Sequence, residues 1–420
     1  MGYARCVGRG FFPLDEELGL LAGHFTPSVY EGVTRLAAWL PFERAVKEAG
    51  HFLHVSVTEA TVRRQSEAAG SAYVALQTRE VERLEKEAST PAAGPTRQFM
   101  SVDGAFVPLV GGEWAEVKTL ALGSVEAPRQ VKGETVIETE DLSYFSRLTD
   151  ATTFQRLALV ETQRRGVDQA GAVGAVTDGS AWCQGFVDFH RPDAVRILDF
   201  PHAAAYVAAI GQAAFGEGSP EAQAWLTEQL HRLKHEGPQP VLAAARQLVT
   251  AYPDRLELAE ALAYLLKHEA QMAYPTFQAA GWPIGDGAVE SANKLVVEAR
   301  LKGSGMHWAR AHVDPMLALR NIACNDRWAE AWPQITQALH RQTAQRRAEN
   351  HHRRHTDRLP AAPLVPTVDS PSTPSKRKGP APVAPGSDQP RASYRPPATH
   401  PWRQPFSPKT RRQQAQTKPA

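Results

Sequence analysis

From residue 14 to 97 the apolar positions recur at helical spacing. Val33, Leu36, Ala37 and Leu40 fall on one face, and Pro41 closes that stretch. At Gln98 the period shortens to two. Phe99-Met100-Ser101-Val102-Asp103-Gly104 alternates and ends at glycine, and Phe106-Val107-Pro108-Leu109 then runs into Gly111-Gly112, which predicts a β-hairpin. Residues 116–122 and 134–139 extend it to three antiparallel strands. A helix is expected over about 150–165, a buried strand over 173–179 that ends in a turn, and a further strand over 194–199.

Three antiparallel strands followed by helix, strand, helix, strand is the order of a ribonuclease-H-like α/β sheet. Residues 200–280 then carry helical pattern without strands, including 222–234, 240–252 and 255–272, which is too long for a crossover and reads as an all-helical insertion over about 203–280. The last helices are expected over 286–301 and 307–325. The domain plan is therefore a helical N-terminal region over 1–97, a catalytic α/β domain over 98–350 holding the insertion, and a tail over 351–420.

Charge separates the tail from the rest. The 420 residues carry a net charge of only +2, yet 351–420 holds 13 Lys or Arg against 3 Asp, so the body is acidic and the tail basic. With 15 prolines the tail cannot bury enough surface to offset its ordering entropy, and it is expected to be disordered. Basic extended segments neutralise phosphates, so the charge points to a polyanion partner, with a solubilising tail as the other reading. With 42% hydrophobic residues the chain can build a large core, which excludes disorder throughout. The sequence has no stretch of 18 apolar residues and no secretory leader pattern, so no membrane span is expected and a cytosolic location is. Its 3 cysteines, Cys6, Cys183 and Cys324, are too few and too scattered for a disulfide framework.

Two acids stand where chemistry could use them. Asp103 precedes Gly104 and Asp178 precedes Gly179, each at the end of a predicted strand that the order above places beside the other. Two carboxylates on one sheet edge repel each other unless a divalent cation lies between them. Asp-Gly is also a common turn dipeptide, so neither residue carries the argument alone. Glu290 is the candidate third acid. Val289, Ala292, Val296 and Ala299 mark the buried stripe of its helix, and Asn293 and Lys294 are expected on the exposed flank beside it. Earlier in the chain, residues 56–65 look like the entry of a helix-turn-helix: a hydroxyl N-cap, then a short helix with Arg63 and Arg64 available to a DNA groove.

The combination Ser101-Val102-Asp103-Gly104, Val176-Thr177-Asp178-Gly179, Leu198-Asp199-Phe200-Pro201-His202-Ala203 and Gly287-Ala288-Val289-Glu290-Ser291-Ala292-Asn293-Lys294 resembles bacterial insertion-sequence transposases of the DDE type, in the ISKra-type branch. These share architecture with the Mutator-like group. The resemblance runs from about Phe11 to about Ile335 and is most specific from Glu290 through Trp308. It implies a ribonuclease-H-like catalytic domain whose metal-binding triad is Asp103, Asp178 and Glu290, with two Mg²⁺ or Mn²⁺ ions. Asp199 and His202 match the Asp-x-x-His signature and are implied as site-supporting; Asp199, which also ends a predicted strand, is the alternative second acid. Relatives carry a cysteine-rich zinc segment ahead of the Gly10-Phe11-Phe12-Pro13-Leu14-Asp15 run, where this sequence has only Cys6, so a truncated zinc segment is expected over 1–13.

The function implied is hydrolysis of the phosphodiester at each element end, then attack of the freed 3′-OH on target DNA by a homo-oligomer bound to terminal inverted repeats. Lys294, Lys302, His307 and Arg310 cluster after Glu290 and, with Arg63, Arg64 and Asn293, are the expected DNA contacts. Two other readings stay open: an inactive, transposase-derived DNA-binding protein, and a nuclease without strand transfer. A carbohydrate hydrolase with paired carboxylates is set aside, because it accounts for neither the basic tail nor the lysines beside the acid.

Overall fold

Helices α1 (Pro27–Trp39), α2 (Phe42–Leu53) and α3 (Glu59–Lys86) precede the sheet in the computed structural model, which describes residues 20–21, 25–87, 92–131 and 134–356. The strands are β1 (Arg97–Pro108), β2 (Trp114–Val125), β3 (Arg129–Val131), β4 (Glu134–Val136), β5 (Thr139–Arg147), β6 (Ala172–Thr177) and β7 (Val195–Leu198). Helices α4 (Ala151–Leu157), α5 (Leu159–Arg164) and α6 (Ala181–His190) lie between them in sequence. After β7 come α7 (Phe200–Phe215), α8 (Pro220–His235), α9 (Pro238–Ala251), α10 (Leu256–Lys267) and α11 (Tyr274–Ala279). Then α12 (Gly287–Ala292) passes through a π-helical segment (Asn293–Glu298) into α13 (Ala299–Leu301), followed by α14 (Arg310–Cys324) and α15 (Trp328–Thr356).

The fold is α/β, with a mixed five-stranded sheet in the order β5-β2-β1-β6-β7. β1 pairs antiparallel with β2 and parallel with β6; β5 continues the antiparallel half and β7 the parallel half. Two strand expectations need correction. β1 does not stop at Gly104 but runs on to Pro108, because the register with β2 continues from Gln98–Ser124 to Pro108–Trp114. A Cβ at Gly104 would meet the Glu116 side chain on the paired strand, which would have to swing aside. The third antiparallel strand is β5, whereas 134–136 pairs with 129–131 in a separate two-stranded ribbon. The pattern in 134–139 is too short to tell a ribbon from a sheet strand.

Alternation along β1 divides the core. Met100 and Val102 face Phe145, Phe154 and Phe186, under α4 and α6. Phe99 faces the opposite side, with Ile197, Ile210, Leu242 and Leu265, so helices α7, α9 and α10 pack on this face of the sheet. Asp103 has the parity of Phe99 and therefore belongs to that second face. Ala105 and Val107 continue the same side into a third cluster with Val289, Val296, Leu317 and Trp332. On the outer edge, side chains from α14 and the turn after it occupy the free backbone of β5: Asn325 bonds both N and O of Tyr144 at 2.8 Å, and Asp314 accepts from Leu148 N at 2.8 Å. An edge covered this way cannot template pairing with another chain.

The N-terminal helices share the third cluster through Tyr30, Ala38, Ala69 and Ala72. α3 opens on Thr58, whose hydroxyl accepts from Thr61 N at 3.3 Å, as the capping pattern predicts. It is not the short helix expected, however. α3 is 28 residues long, and Val62, Ser66, Ala69, Gly70 and Ala72 are buried along it. Its contact with α14 is so close that a Cβ on Gly70 would overlap the Pro315 carbonyl. Gly70→Ala should therefore destabilise the protein by about 2 kcal/mol despite alanine's better helix propensity, seen as a lower Tm in thermal unfolding. An unchanged or higher Tm would mean the helices separate at no cost.

α15 extends to Thr356, so the predicted start of the tail at 351 falls inside a helix. Residues 357–420, and the expected zinc segment at 1–13, lie outside the described residues. No helix among the described residues is long and apolar enough to cross a membrane.

Candidate active site

Asp103 leaves β1 on the face covered by α12. Its Oδ2 accepts from Asn293 Nδ2 at 2.8 Å, at the point where α12 passes into the π-helical segment. Burial, opposed by the Gly104 N–H and added to by the charge of Asp178, raises the Asp103 carboxyl above its usual range. Asp178 follows the last residue of β6, the strand next to β1. Its Oδ1 accepts from Ser180 N at 2.9 Å, and Gly179 takes φ +76°, a value that favours glycine. The two aspartates thus stand on neighbouring parallel strands within electrostatic reach, as their positions in the sequence led one to expect.

Asp199 has a different role. It is the N-cap of α7, with Oδ2 accepting from His202 N at 2.8 Å and Oδ1 accepting from Asp286 N at 2.9 Å. Both oxygens are therefore engaged in holding backbone, and the residue is 3% exposed. Asp199 is thus a buried cap, whereas Asp178 is partly exposed. His202 lies edge-on to Tyr206 and Tyr264 at ring distances of 5.5 and 5.9 Å.

Asp286 was not foreseen. It is the residue before α12, it is buried, and its carboxyl shares a hydrogen bond with Asp199. Burial first, then the charges of Asp199, Asp103 and Glu290, push its pKa up to about 8. At neutral pH the Asp199–Asp286 pair therefore keeps one proton between two carboxyls. No local signal marks this: Gly-Asp-Gly reads as a turn, and its partner is 87 residues away.

Glu290 lies in the first turn of α12 and is exposed, with Lys294 Nζ at 3.7 Å. Among the described residues no three or more His, Cys, Asp or Glu side chains converge in metal-coordinating geometry. Asn293 departs from the expected exposed flank: it is 6% exposed and turned to Asp103. Ordinary helix geometry is the reason: Asn293 lies four residues after the buried Val289 and beside Ala292, on the same stripe, and its own N–H still bonds to Val289 O. Arg320 of α14 donates to Val296 O at 3.3 Å and to Leu295 O, so these carbonyls of the π-helical segment are satisfied from outside the helix. Its Nη1 also reaches Ala38 O at 3.2 Å, and Arg300 Nε reaches Ala37 O at 2.8 Å, which ties the end of α1 to the helix bearing Glu290.

The remaining expected DNA contacts are at the surface. Arg63 and Arg64 are exposed near the start of α3, and Arg310 is exposed at the start of α14. Arg63 and His307 line one open cavity of about 620 Å³ together with Phe42, Met306, Trp308 and His312. Lys302 is paired with Glu298 at 2.8 Å. Trp308 is buried and donates Nε1 to Leu301 O at 3.1 Å, a packing role.

Two further side chains reach the site from α10 and the turn after it, and sequence reasoning missed both. Tyr264 donates its hydroxyl to the Asp178 carbonyl, and the buried His268 ring lies 4.6 Å from the Tyr264 ring. Burial holds the His268 imidazole below its usual range, so it is neutral at pH 7. Their spacing of four residues shows that they share a helix face but not what that face meets. No known family model matches the chain, and no curated protein matches it.

Proposed function

We propose that the protein is a metal-dependent DNA transposase whose α/β domain is ribonuclease-H-like, with 200–280 as a helical insertion in it. The observation that carries the reading is the pairing of β1 with β6, which sets Asp103 and Asp178 on adjacent strands of a sheet in the order β5-β2-β1-β6-β7. The helix bearing Glu290 crosses the same face, joined to Asp103 through Asn293.

The donor set fits a hard divalent cation. It is all oxygen, the charge of Asp178 adds to the cost of ionising Asp103, and Asn293 Oδ1 is buried with no hydrogen-bond partner among the described residues. Asp103 and Asp178 would hold the ions, and Glu290 would complete the set. Bound Mg²⁺ or Mn²⁺ would supply Lewis-acid activation and neutralise charge on phosphate oxygens. The chain's own residues do the rest. Asn293 fixes one oxygen of Asp103, the Gly179 turn fixes Asp178, and the Asp199–Asp286 pair anchors the start of α12 to the start of α7. In the proposed reaction water breaks the phosphodiester and a 3′-OH leaves; that hydroxyl then displaces a 3′-oxygen in target DNA, with no covalent protein intermediate. Arg63, Arg64, Lys294, Lys302, His307 and Arg310 would meet phosphates, and two copies would bring two element ends together.

A second reading, a DNA-binding derivative that no longer cleaves, is favoured by one observation: Glu290 faces Lys294 and completes no metal cluster among the described residues. One experiment separates the two. Labelled DNA carrying the flanking inverted repeats is incubated with the full chain and Mg²⁺, and cleaved and joined products are scored. Cleavage followed by joining, lost in Asp178→Ala and Glu290→Ala with DNA binding retained, is expected. Binding without cleavage would replace the transposase by the derivative, and cleavage without joining by a nuclease. Asp199→Ala should act on folding instead, lowering stability by about 2 kcal/mol by orphaning one buried and one part-buried N–H group.

A further inference from the structure

We infer that Tyr264 is a positioning residue for Asp178: its hydroxyl holds the peptide that aims the Asp178 carboxylate. It follows from three contacts, the first of them made across a gap of 86 residues. The hydroxyl donates to the Asp178 carbonyl oxygen, so it grips the peptide unit between Asp178 and Gly179. The phenol ring is locked in turn, lying flat on Tyr206 of α7 with centroids 3.8 Å apart and planes 4° apart. The Gly179 backbone runs directly against the same helix face, since a Cβ there would stand 2.9 Å from both Tyr264 Oη and His268 Cε1.

The Asp178 side chain is tied to its own turn by the bond from Ser180 N. Its direction therefore follows the orientation of the Asp178–Gly179 peptide, and that peptide is held from α10. The strand-free segment 200–280 is then more than a spacer between the second and third acids; it braces the second. A tyrosine serves here where a phenylalanine would not. The stacked ring fixes the position of the helix, and the hydroxyl supplies the one donor that a carbonyl at a strand end requires. The importance of this for catalysis rests on the proposed function; the mechanical link does not.

The test uses the full chain and Tyr264→Phe, which keeps the ring and removes the hydroxyl. Hydrogen–deuterium exchange should rise about fivefold or more at the amides of Gly179 and Ser180, with α10 itself still protected. Tyr206→Phe, which also loses a phenol but not this bond, should leave that exchange unchanged. On the proposed reaction, Tyr264→Phe should lower kcat about tenfold while DNA affinity holds, and calorimetric Mn²⁺ affinity should fall in parallel. Unchanged exchange over 178–180 in Tyr264→Phe overturns the inference, as does raised exchange with wild-type kcat and Mn²⁺ affinity. A wild-type chain that neither binds Mn²⁺ nor cleaves DNA overturns the transposase reading instead, and the exchange result then decides the Tyr264–Asp178 link by itself.

Discussion

Asp103→Asn should abolish DNA cleavage and, in metal-free buffer, make the protein more stable. The two effects have one cause. Asp103 is pressed by burial and by the charge of Asp178, so its ionised form is strained in the folded chain. That strain is what a cation would relieve, and without the carboxylate about 4 kcal/mol of transition-state stabilisation, roughly a thousandfold in rate, is lost. The sign of the stability effect follows from linkage. The folded protein holds the Asp103 proton more tightly than the unfolded chain does, so stability is full below the unfolded pKa of about 3.9 and falls as pH rises through the folded value. Asparagine cannot ionise and escapes that loss, while its amide oxygen still accepts from Asn293. A higher Tm at pH 7 with cleavage gone is the expected pair of results, measured by thermal unfolding in EDTA and by the cleavage assay. A lower Tm with cleavage gone would trace the lost activity to misfolding, and retained cleavage would remove Asp103 from the site.

Asp286→Asn is expected to change the pH profile of stability. The wild-type carboxyl, pushed up to about 8, keeps a proton that the unfolded chain gives up near pH 4. Native chains therefore bind more protons than unfolded ones between those limits, and stability drops as pH rises across that window. The asparagine variant keeps a donor for Asp199 and has no charge to place beside Asp199, Asp103 and Glu290. Its Tm should match wild type near pH 4, pull ahead steadily toward pH 8 and hold a constant lead above it. The gain at the plateau is on the order of 3 kcal/mol, less than the full shift implies because the native site relaxes around the ionised form. The measurement is Tm of both chains from pH 4 to 9 in metal-free buffer. A pH-independent difference would show that the Asp199–Asp286 pair does not share a proton in the folded protein.

Where the three proposed acids fall was legible in the sequence: Asp103 in the alternating segment that becomes β1, Asp178 just after the apolar segment that becomes β6, and Glu290 in the first turn of a helix whose apolar stripe is visible. The groups that set their state were not. Asn293 reads as a residue of the exposed flank beside Glu290 but is a buried donor to Asp103, because it lies four residues after Val289 on the stripe that packs against β1. Asp199 reads as a second candidate acid at a strand end, until both its oxygens are seen to hold backbone N–H groups.

Elements whose cause is local could be read from the chain alone: the period-two strands, the helical stretches, the hydroxyl cap that Thr58 supplies, and the charge contrast between body and tail. Side-chain alternation and neighbouring backbone donors act within a few residues, so the one-dimensional order contains them. Tertiary contacts were needed to show that β1 continues through Gly104, that β5 rather than 134–139 completes the antiparallel half, that Asp286 is buried against Asp199, and that Tyr264 grips Asp178. Each of these depends on a partner between about 12 and 90 residues away, and long-range pairing and burial leave no local period by which a sequence could announce them.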